Sequence, residues 1–234
     1  MVTKDTESKL DGLFQAGAHY GFSKSRRHPS AEKFVFGSKN RVDIFDLEKT
    51  EESLKKAEEF VANLASTGGV LLFVGGKNEA KEIIATNAEK IGMPYVASRW
   101  IGGTLTNFSQ IRKRVDTMLD LINQREKGEL GKYTKKERLL IGRDIEKLQR
   151  MFGGISTMTN LPKALFIIDP RHEETAVHEA ETLGIPVVAL CGTDNDFAKI
   201  KYPIPGNDSN RKSIAYFVER IKNAYDHNRA NKKA

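Results

Sequence analysis

Two alternating patterns of apolar and polar residues run through most of the chain. Short continuous apolar runs, bounded by glycine, proline or polar residues, are typical of parallel strands that are buried on both faces. Such runs occur at 70–74, 164–168 and 185–191, with a shorter one at 94–98. Stretches with apolar residues at helical spacing accompany them, at 47–66, 78–91, 172–183 and 214–221. The alternation predicts parallel βαβ units and hence a layered α/β fold.

This alternation of strands and helices stops between residues 106 and 152. Apolar residues there recur at helical spacing on both sides of a polar loop, EKGELGKYT. Two amphipathic helices of similar length joined by a short loop predict an antiparallel helical hairpin, a coiled coil, inserted into the α/β domain. The predicted organisation is a globular domain (10–105 plus 153–226), the hairpin insertion (106–152) and flexible termini (1–9 and 227–234).

The N-terminal part of the chain is rich in cations and aromatic residues. Residues 24–41 hold six lysines and arginines and one acid, Glu32. The interleaved aromatic side chains, including Tyr20 and Phe22, are of the kind that stack on bases or dock into a groove. We predict an ordered basic loop followed by a hairpin-like pair of strands near 34–36 and 42–47. Asn40 is expected in the turn, with positive φ.

A pivot between the two predicted units lies at 98–115, with the sequence SRWIGGTLTNFSQIRKRV. Trp100 offers a wide apolar face and one N–H donor, and we expect it to pack at the junction rather than stack on a base. The pair Gly102 and Gly103 permits a sharp turn and a close backbone approach. Gly153 and Gly154 close the inserted segment in a similar way. The helix after the pivot carries three consecutive cations, Arg112, Lys113 and Arg114.

The charge balance favours an anionic partner. Lysine and arginine total 38 against 31 acids, a formal net charge of +7, which indicates nucleic acid first and a membrane surface second. The single cysteine, Cys191, excludes an internal disulfide and the zinc sites built on cysteine pairs, and we expect it to be buried. No apolar run approaches the ~20 residues of a membrane helix, and the polar N-terminal residues show no secretory signal. We expect a cytoplasmic protein.

Signals for catalysis or cofactor binding are weak. The run LLFVGGKNEA places glycines between a strand and a helix, where backbone N–H groups can bind phosphate. It matches neither G-x-G-x-x-G nor G-x-x-x-x-G-K-[ST], so a tight turn is favoured, with Lys77 kept as a candidate phosphate contact. An ion site formed by His19 and Asp196 is left open, although solvated loop acids are favoured. We therefore expect no catalysis, no cofactor and no metal.

Eight segments together resemble one known family. They are AGAHYGFSKSRRHP, FVFGSKNRVDIFDLEKT, LLFVGGKNEA, SRWIGGTLTNFSQIRK, YTKKERLLIGRDIEKLQRMFGGI, LPKALFIID, LGIPVVAL and YPIPGND, in family order over roughly residues 10–225. The chain resembles ribosomal protein S2 of the bacterial small subunit. The resemblance implies a flavodoxin-like α/β domain with a protruding hairpin, bound to small-subunit ribosomal RNA between head and body. It also implies neighbouring ribosomal proteins as partners, with ribosomal protein S1 close by.

Two departures from the family pattern limit what the resemblance implies. Phe22 stands where the family usually has a second histidine. The loop CGTDNDFAK keeps Asp196 but lacks other acids of the family run and ends in Lys199. An ion site built from these groups in relatives, and the contact with ribosomal protein S1, are therefore not carried over to this chain.

We predict a structural ribosomal protein whose cations lie along ribosomal RNA phosphates and fix position without reading base sequence. Two alternatives are a nucleotide-binding enzyme on the same scaffold and a free RNA-binding regulator. The predicted RNA contacts are Lys24, Arg26, Arg27, His28, Lys39, Arg99, Arg112, Lys113 and Arg114. The predicted pivot residues, some of them placed by the family motif, are Trp100, Gly102, Gly103, Asn107, Phe108, Gly153 and Gly154.

Overall fold

The computed structural model describes residues 4–230. Its helices are α1 (Lys4–Gln15), α2 (Leu47–Ser66), α3 (Asn78–Lys90), α4 (Phe108–Glu126), α5 (Lys135–Phe152), α6 (Glu174–Thr182) and α7 (Arg211–Ala230). Its strands are β1 (Tyr20–Ser23), β2 (Val35–Lys39), β3 (Val42–Phe45), β4 (Leu71–Val74), β5 (Tyr95–Val96), β6 (Ala164–Ile168), β7 (Val187–Cys191) and β8 (Tyr202–Pro205). The predicted βαβ segments all form the elements that their periodicity indicated.

Both ends of the described chain are more helical than the sequence predicted. Residues 4–9 begin α1 and residues 227–230 end α7, where flexible termini were expected. No glycine or proline interrupts residues 4–11. The last turn of α7 is tied down because Arg229 Nη1 donates to the carbonyl of Ile91 at 2.8 Å. The rest of the predicted flexible ends, residues 1–3 and 231–234, lies outside the described residues.

Five parallel strands form the central sheet, in the order β5-β4-β6-β7-β8. Renumbered within the sheet, this is 2-1-3-4-5, the strand order of flavodoxin-like folds. Successive residues of a strand point to opposite faces. Leu71 and Phe73 of β4 therefore join the core beneath α2, α3 and α7, while Leu72 and Val74 join the core on the α6 side. Both faces are buried, as continuous apolar runs predict.

A second, antiparallel sheet of three strands has the order β1-β3-β2. The predicted hairpin of β2 and β3 is confirmed, and its turn has positive φ at Asn40 (51°) and Arg41 (64°). Two such residues in succession are the geometry of a tight hairpin turn. The third strand, β1, was not predicted, because it is only four residues long and pairs with a strand some twenty residues away.

Helices α4 and α5 lie between β5 and β6 in the chain and pack against each other. Ile111, Val115 and Met118 of α4 and Ile145 of α5 are buried, as their spacing predicted. Leu140 is another apolar residue of α5, but it is 49% exposed. It sits in the first turns of α5, beyond the part of the helix that reaches the core.

Of the four pivot glycines, two are required by their surroundings. Gly103 has φ +88°, a conformation that side-chain-bearing residues rarely adopt. A Cβ on Gly154 would collide with the carbonyl oxygen of Tyr95 and lie 2.8 Å from its ring. Gly102 and Gly153 have nothing within 4 Å of an added Cβ. The close approach that the sequence predicted thus belongs to one glycine of the second pair.

The glycine pair 153–154 gives a matched test of this packing. Gly154→Ala should lower the free energy of unfolding by at least about 2 kcal/mol, because the neighbouring backbone must move. Gly153→Ala, at φ −55° and ψ −45° with open space around it, should be neutral or stabilise by up to about 1 kcal/mol. Urea denaturation measures both variants, and equal effects of the two substitutions would contradict the assigned contact.

Candidate nucleic-acid interface

The predicted basic loop is docked against the segment that follows β7. Residues 24–26 and 29–34 form two short 3-10 turns. The main chain of this region is held by Thr193, whose carbonyl accepts from His28 N at 2.8 Å and whose Oγ1 accepts from Phe22 N at 2.8 Å. The loop is therefore ordered by residues of the β7–β8 connection, more than 160 positions away in the chain.

Asp194, in the same connection, holds two arginines at the surface. Its Oδ2 lies 3.0 Å from Arg171 Nη1 and 3.6 Å from Arg26 Nη2. The Asp194 side chain is only 5% exposed, whereas those of Arg26 and Arg171 are 56% and 59% exposed. Arg26 also lies 4.8 Å from the centre of the Phe22 ring. A buried carboxylate thus fixes a pair of exposed guanidinium groups, the geometry that suits phosphate oxygens.

Sequence reasoning missed Arg171, and one signal was available for it. Arg171 follows β6 and Asp194 follows β7, and these two strands are neighbours in the sheet. Because parallel strands end at the same edge, the segments after neighbouring strands meet there. The predicted strand runs at 164–168 and 185–191 already placed the two side chains at one edge.

Two predicted RNA contacts are engaged by other residues of the chain. Arg27 is 19% exposed, and its Nε lies 3.6 Å from Oδ2 of the fully buried Asp43. The His28 ring accepts from Ser30 N, which caps the second 3-10 turn, and its Nδ1 lies 2.7 Å from Ser30 Oγ and 3.8 Å from Asp196 Oδ1. These side chains build the loop, while the exposed Lys24 and Lys39 remain on its outer surface.

The pivot is organised by a residue that the sequence did not point to, Glu179 of α6. Its carboxylate is buried and accepts five hydrogen bonds from the turn before α4. One oxygen accepts from Trp100 Nε1 at 3.0 Å and from Gly103 N at 2.8 Å. The other accepts from Leu105 N at 2.9 Å and from both the N and the Oγ1 of Thr106. Trp100 itself is 5% exposed, so it packs in the core.

These donors keep Glu179 ionised despite its burial. Burial by itself raises the pKa of a carboxyl group, but the hydrogen bonds from Trp100, Leu105, Thr106 and Gly103 outweigh it, and the pKa of Glu179 lies below its ordinary value. The charge on Glu179 therefore stabilises the turn wherever the carboxylate is ionised. No single-sequence signal marks it, since an acid on an amphipathic helix normally faces water.

The remaining pivot residues and cations differ in their surroundings. Arg112 donates to the carbonyls of Ser156 and Met158 at 2.9 and 3.1 Å and pairs with Asp116 at 2.8 Å. It therefore ties α4 to the residues that follow α5. Phe108 packs on the core beneath α4, and Asn107 precedes that helix with an exposed side chain. The exposed cations here are Arg99, Lys113 and Arg114.

Lys77, the candidate phosphate contact, forms ion pairs with two acids of the chain. Its Nζ lies 2.6 Å from Asp169 Oδ2 and 3.2 Å from Asp208 Oδ2. Burial, aided by the charge of Asp169 and opposed by Lys77, raises the pKa of Asp208 to about 6. Because the ammonium group of Lys77 is already paired with the two carboxylates that flank it, the structure does not support its predicted role as a phosphate contact.

The proposed ion site is not assembled. His19 stacks on Phe14, with ring centres 4.6 Å apart, and contacts Tyr20 on its other side. Asp196 instead accepts from Ser30 and Ala198. Among residues 4–230, no group of three or more His, Cys, Asp or Glu side chains is placed to hold a metal ion. In the same part of the chain, no helix combines the length and apolar character needed to cross a membrane.

Fold and surface together define a basic α/β protein that presents fixed cations at the carboxyl edge of a parallel sheet. The family model for ribosomal protein S2 matches residues 13–228, so the chain belongs to the ribosomal protein S2 family. Membership in this family makes it a structural protein rather than an enzyme.

Curated relatives agree with this assignment over most of their lengths. The small ribosomal subunit protein uS2 of Deinococcus radiodurans is 43% identical over 209 residues, covering 89% of this chain and 79% of the relative. That of Roseiflexus sp. (strain RS-1) is 44% identical over 215 residues, covering 92% and 82%. That of Acidothermus cellulolyticus is 43% identical over 213 residues, covering 91% and 78%.

Replacing Glu179 tests whether its charge holds the pivot. Glu179→Gln places an amide N–H₂ against backbone donors, and at pH 7 it should cost about 3 kcal/mol of unfolding free energy. Because the folded-state pKa is lowered, the stabilisation is complete above about pH 5 and is lost as pH falls through the folded-state value. The difference in unfolding free energy between the native protein and the Glu179→Gln variant should therefore become smaller as the pH falls.

Glu181→Gln is the matched control, since Glu181 is an exposed acid on the same helix. At pH 7 it should change the free energy of unfolding, measured by urea denaturation, by no more than about 0.5 kcal/mol. A Glu179→Gln variant as stable as the Glu181→Gln variant at pH 7 would rule out the assigned role.

Proposed function

We propose that the protein is a structural component of the small ribosomal subunit, where its exposed cations bind phosphates of the ribosomal RNA. The observation that carries the proposal is the arginine pair formed by Arg26 and Arg171, which the buried Asp194 holds at the edge of the sheet. The names of the relatives place those proteins in the small subunit. The net charge of +7 is consistent with an RNA partner.

The proposed RNA contacts are the cations whose side chains are exposed. They are Lys24, Arg26, Lys39, Arg99, Lys113, Arg114 and Arg171. Arg27, His28 and Arg112 act instead as positioning residues, because each is engaged by another part of the chain. Contacts of this kind fix register and orientation on RNA without reading its bases.

The helices α4 and α5 are proposed to form a coiled-coil hairpin inserted into one α/β domain, at 106–152. Support comes from their mutual packing and from the capping box at Thr134 and Glu137, which starts α5 directly after the connecting loop. The α/β domain is then 10–105 plus 153–226. The sheet supports this division, because β4 pairs directly with β6 across the inserted residues.

The position in the ribosome is a further part of the proposal. The family resemblance supports a position between the head and body of the small subunit, in the cytoplasm, beside other ribosomal proteins. Ribosomal protein S1 is the neighbour for which the resemblance gives the least support here, since Phe22 and residues 191–199 depart from the family pattern. Crosslinking of purified subunits to identify neighbours tests this arrangement.

The alternative of a nucleotide-binding enzyme finds no support among the relatives, which are named as ribosomal proteins. The internal pairing of Lys77 also removes the side chain that the nucleotide hypothesis relied on. The alternative of a free RNA-binding regulator predicts that the protein sediments away from small subunits. Co-migration with small subunits through a high-salt gradient would exclude that reading.

The triple variant Lys24→Ala, Arg26→Ala, Lys39→Ala should weaken binding to small-subunit RNA. Each lost phosphate contact removes roughly 0.9 from the log–log salt slope on a duplex, so three contacts lower the slope by about 2 to 3. Filter binding between 50 and 300 mM salt measures this slope. Thermal denaturation should change little, because all three side chains are exposed.

The charge-matched control is Lys55→Ala, Lys90→Ala, Lys163→Ala. Lys90 ends α3 and Lys163 precedes β6, so both lie at the amino edge of the sheet, and Lys55 is exposed on α2. The control should leave the slope unchanged to within about 0.5. Equal losses in the two triple variants would show that net charge alone, rather than the basic loop, drives binding.

A further inference from the structure

A separate cavity of about 870 Å³ opens at the carboxyl edge of the central sheet. Its walls include Gly76 after β4, Arg99 and Gly102 after β5, and His172 and Thr175 after β6. Its volume lies in the range of small-molecule sites, about 300–1,000 Å³. None of the loop residues at 24–28 lines it, so it is distinct from the basic loop.

This cavity lies where the strand order of the central sheet reverses direction. The chain leaves β4 for β5 on one side, while β6, β7 and β8 follow on the other side. The connections after β4 and β6 therefore diverge, and a crevice opens between them at the carboxyl ends of the strands. In open α/β sheets, ligands bind in the crevice at this switch point. We call this space the switch-point cavity.

Two cations in the switch-point cavity have no acidic partner. Within the described residues, neither Lys81 nor Arg99 lies within 4.0 Å of a carboxylate, in contrast to Lys77. Lys81 Nζ donates only to Asn78 Oδ1, at 2.9 Å. Arg99 is exposed and directly precedes Trp100, which Glu179 holds. The positive charge available to bind an anion therefore comes from Lys81 of α3 and from Arg99 of the pivot.

The floor of the cavity is built around the buried carboxylate of Glu173. Glu173, 3% exposed, accepts from Gly76 N at 3.0 Å, and its Oε1 lies 2.8 Å from His172 Nδ1. A Cβ at Gly76 would lie 2.6 Å from the same carboxylate oxygen, so the glycine is required there. Two carboxylates therefore line the cavity, the hydrogen-bonded Glu173 in the floor and the exposed Glu79 at the rim.

We propose that the switch-point cavity binds one phosphate group, with Arg99 and Lys81 as the residues that contact it. The phosphate belongs either to the RNA backbone, in which case the inference rests on the proposed function, or to a free phosphate or nucleotide. Arginine binds phosphate through two parallel N–H donors and lysine through a point charge. The site is a second anchor, separated from the Asp194-held arginine pair.

Titration of the ¹⁵N-labelled full chain tests the proposal, with inorganic phosphate, adenosine monophosphate and a single-stranded RNA tetramer as probes. The amides of Gly76, Asn78 and Gly102 should shift saturably. The double variant Lys81→Ala, Arg99→Ala should raise the dissociation constant at least tenfold, while Lys90→Ala, Lys163→Ala should leave it within twofold. Tighter binding of the tetramer identifies RNA as the source, and equal binding of all three probes identifies free phosphate.

The proposal is overturned if no probe shifts these amides saturably, or if the two double variants lose affinity equally. Either result leaves the rest of the proposed function standing, because Lys24, Arg26 and Lys39, whose RNA binding is measured separately, lie outside the cavity.

A substitution that should strengthen phosphate binding provides a second test. Glu79→Gln removes the rim carboxylate, so the phosphate probes should bind several-fold more tightly, although the first turn of α3 loses a favourable charge and the protein becomes slightly less stable. A merely structural effect would weaken binding together with stability. Unchanged or weaker binding by Glu79→Gln would overturn the assignment of the cavity.

Discussion

The buried carboxylate of Glu179 is the constraint on which the turn before α4 depends. It fixes Trp100 and the backbone of the turn 103–106 against α6, and α4 begins two residues later. The direction in which α4 leaves the body is therefore set by one side chain on a helix that lies some seventy residues away in sequence. Arg112 and Gly154 fix the chain just after α5, through the carbonyls at 156 and 158 and the close approach to Tyr95.

Buried acids recur at the carboxyl edge of the sheet, each with a different partner. Glu179 binds backbone amides, Asp194 binds two surface arginines, and Asp208 shares Lys77 with Asp169. A buried carboxylate without such partners would be costly. Through the pairs that Asp194, Asp169 and Asp208 form, some of the chain's lysine and arginine side chains help to hold the fold together. Arg26 and Arg171 are exposed cations that one of these acids, Asp194, holds in place.

Periodicity in the sequence was sufficient to predict the helices and the strands of the parallel sheet, because apolar spacing reports directly which faces are buried. It was not sufficient to predict which cations are free. Arg26 and Arg27 are adjacent and identical in type, yet one is exposed and the other faces the buried Asp43. Nor did it identify Glu179, whose role arises only when α6 meets the turn after β5. Such pairings depend on tertiary contacts, which a local pattern does not encode.

Holding a cation in place matters for binding because a free side chain must lose its rotamer freedom on a phosphate, at about 0.5–1.5 kcal/mol for each immobilised side chain. Asp194 has already ordered Arg26 and Arg171 before any RNA arrives. The same carboxylate also weakens the field of the pair, since one negative charge lies between two positive ones. The arrangement therefore favours a partner whose phosphates fit both guanidinium groups at once over one that responds only to charge. A folded RNA, with phosphates at fixed separations, meets that condition better than a flexible polyanion.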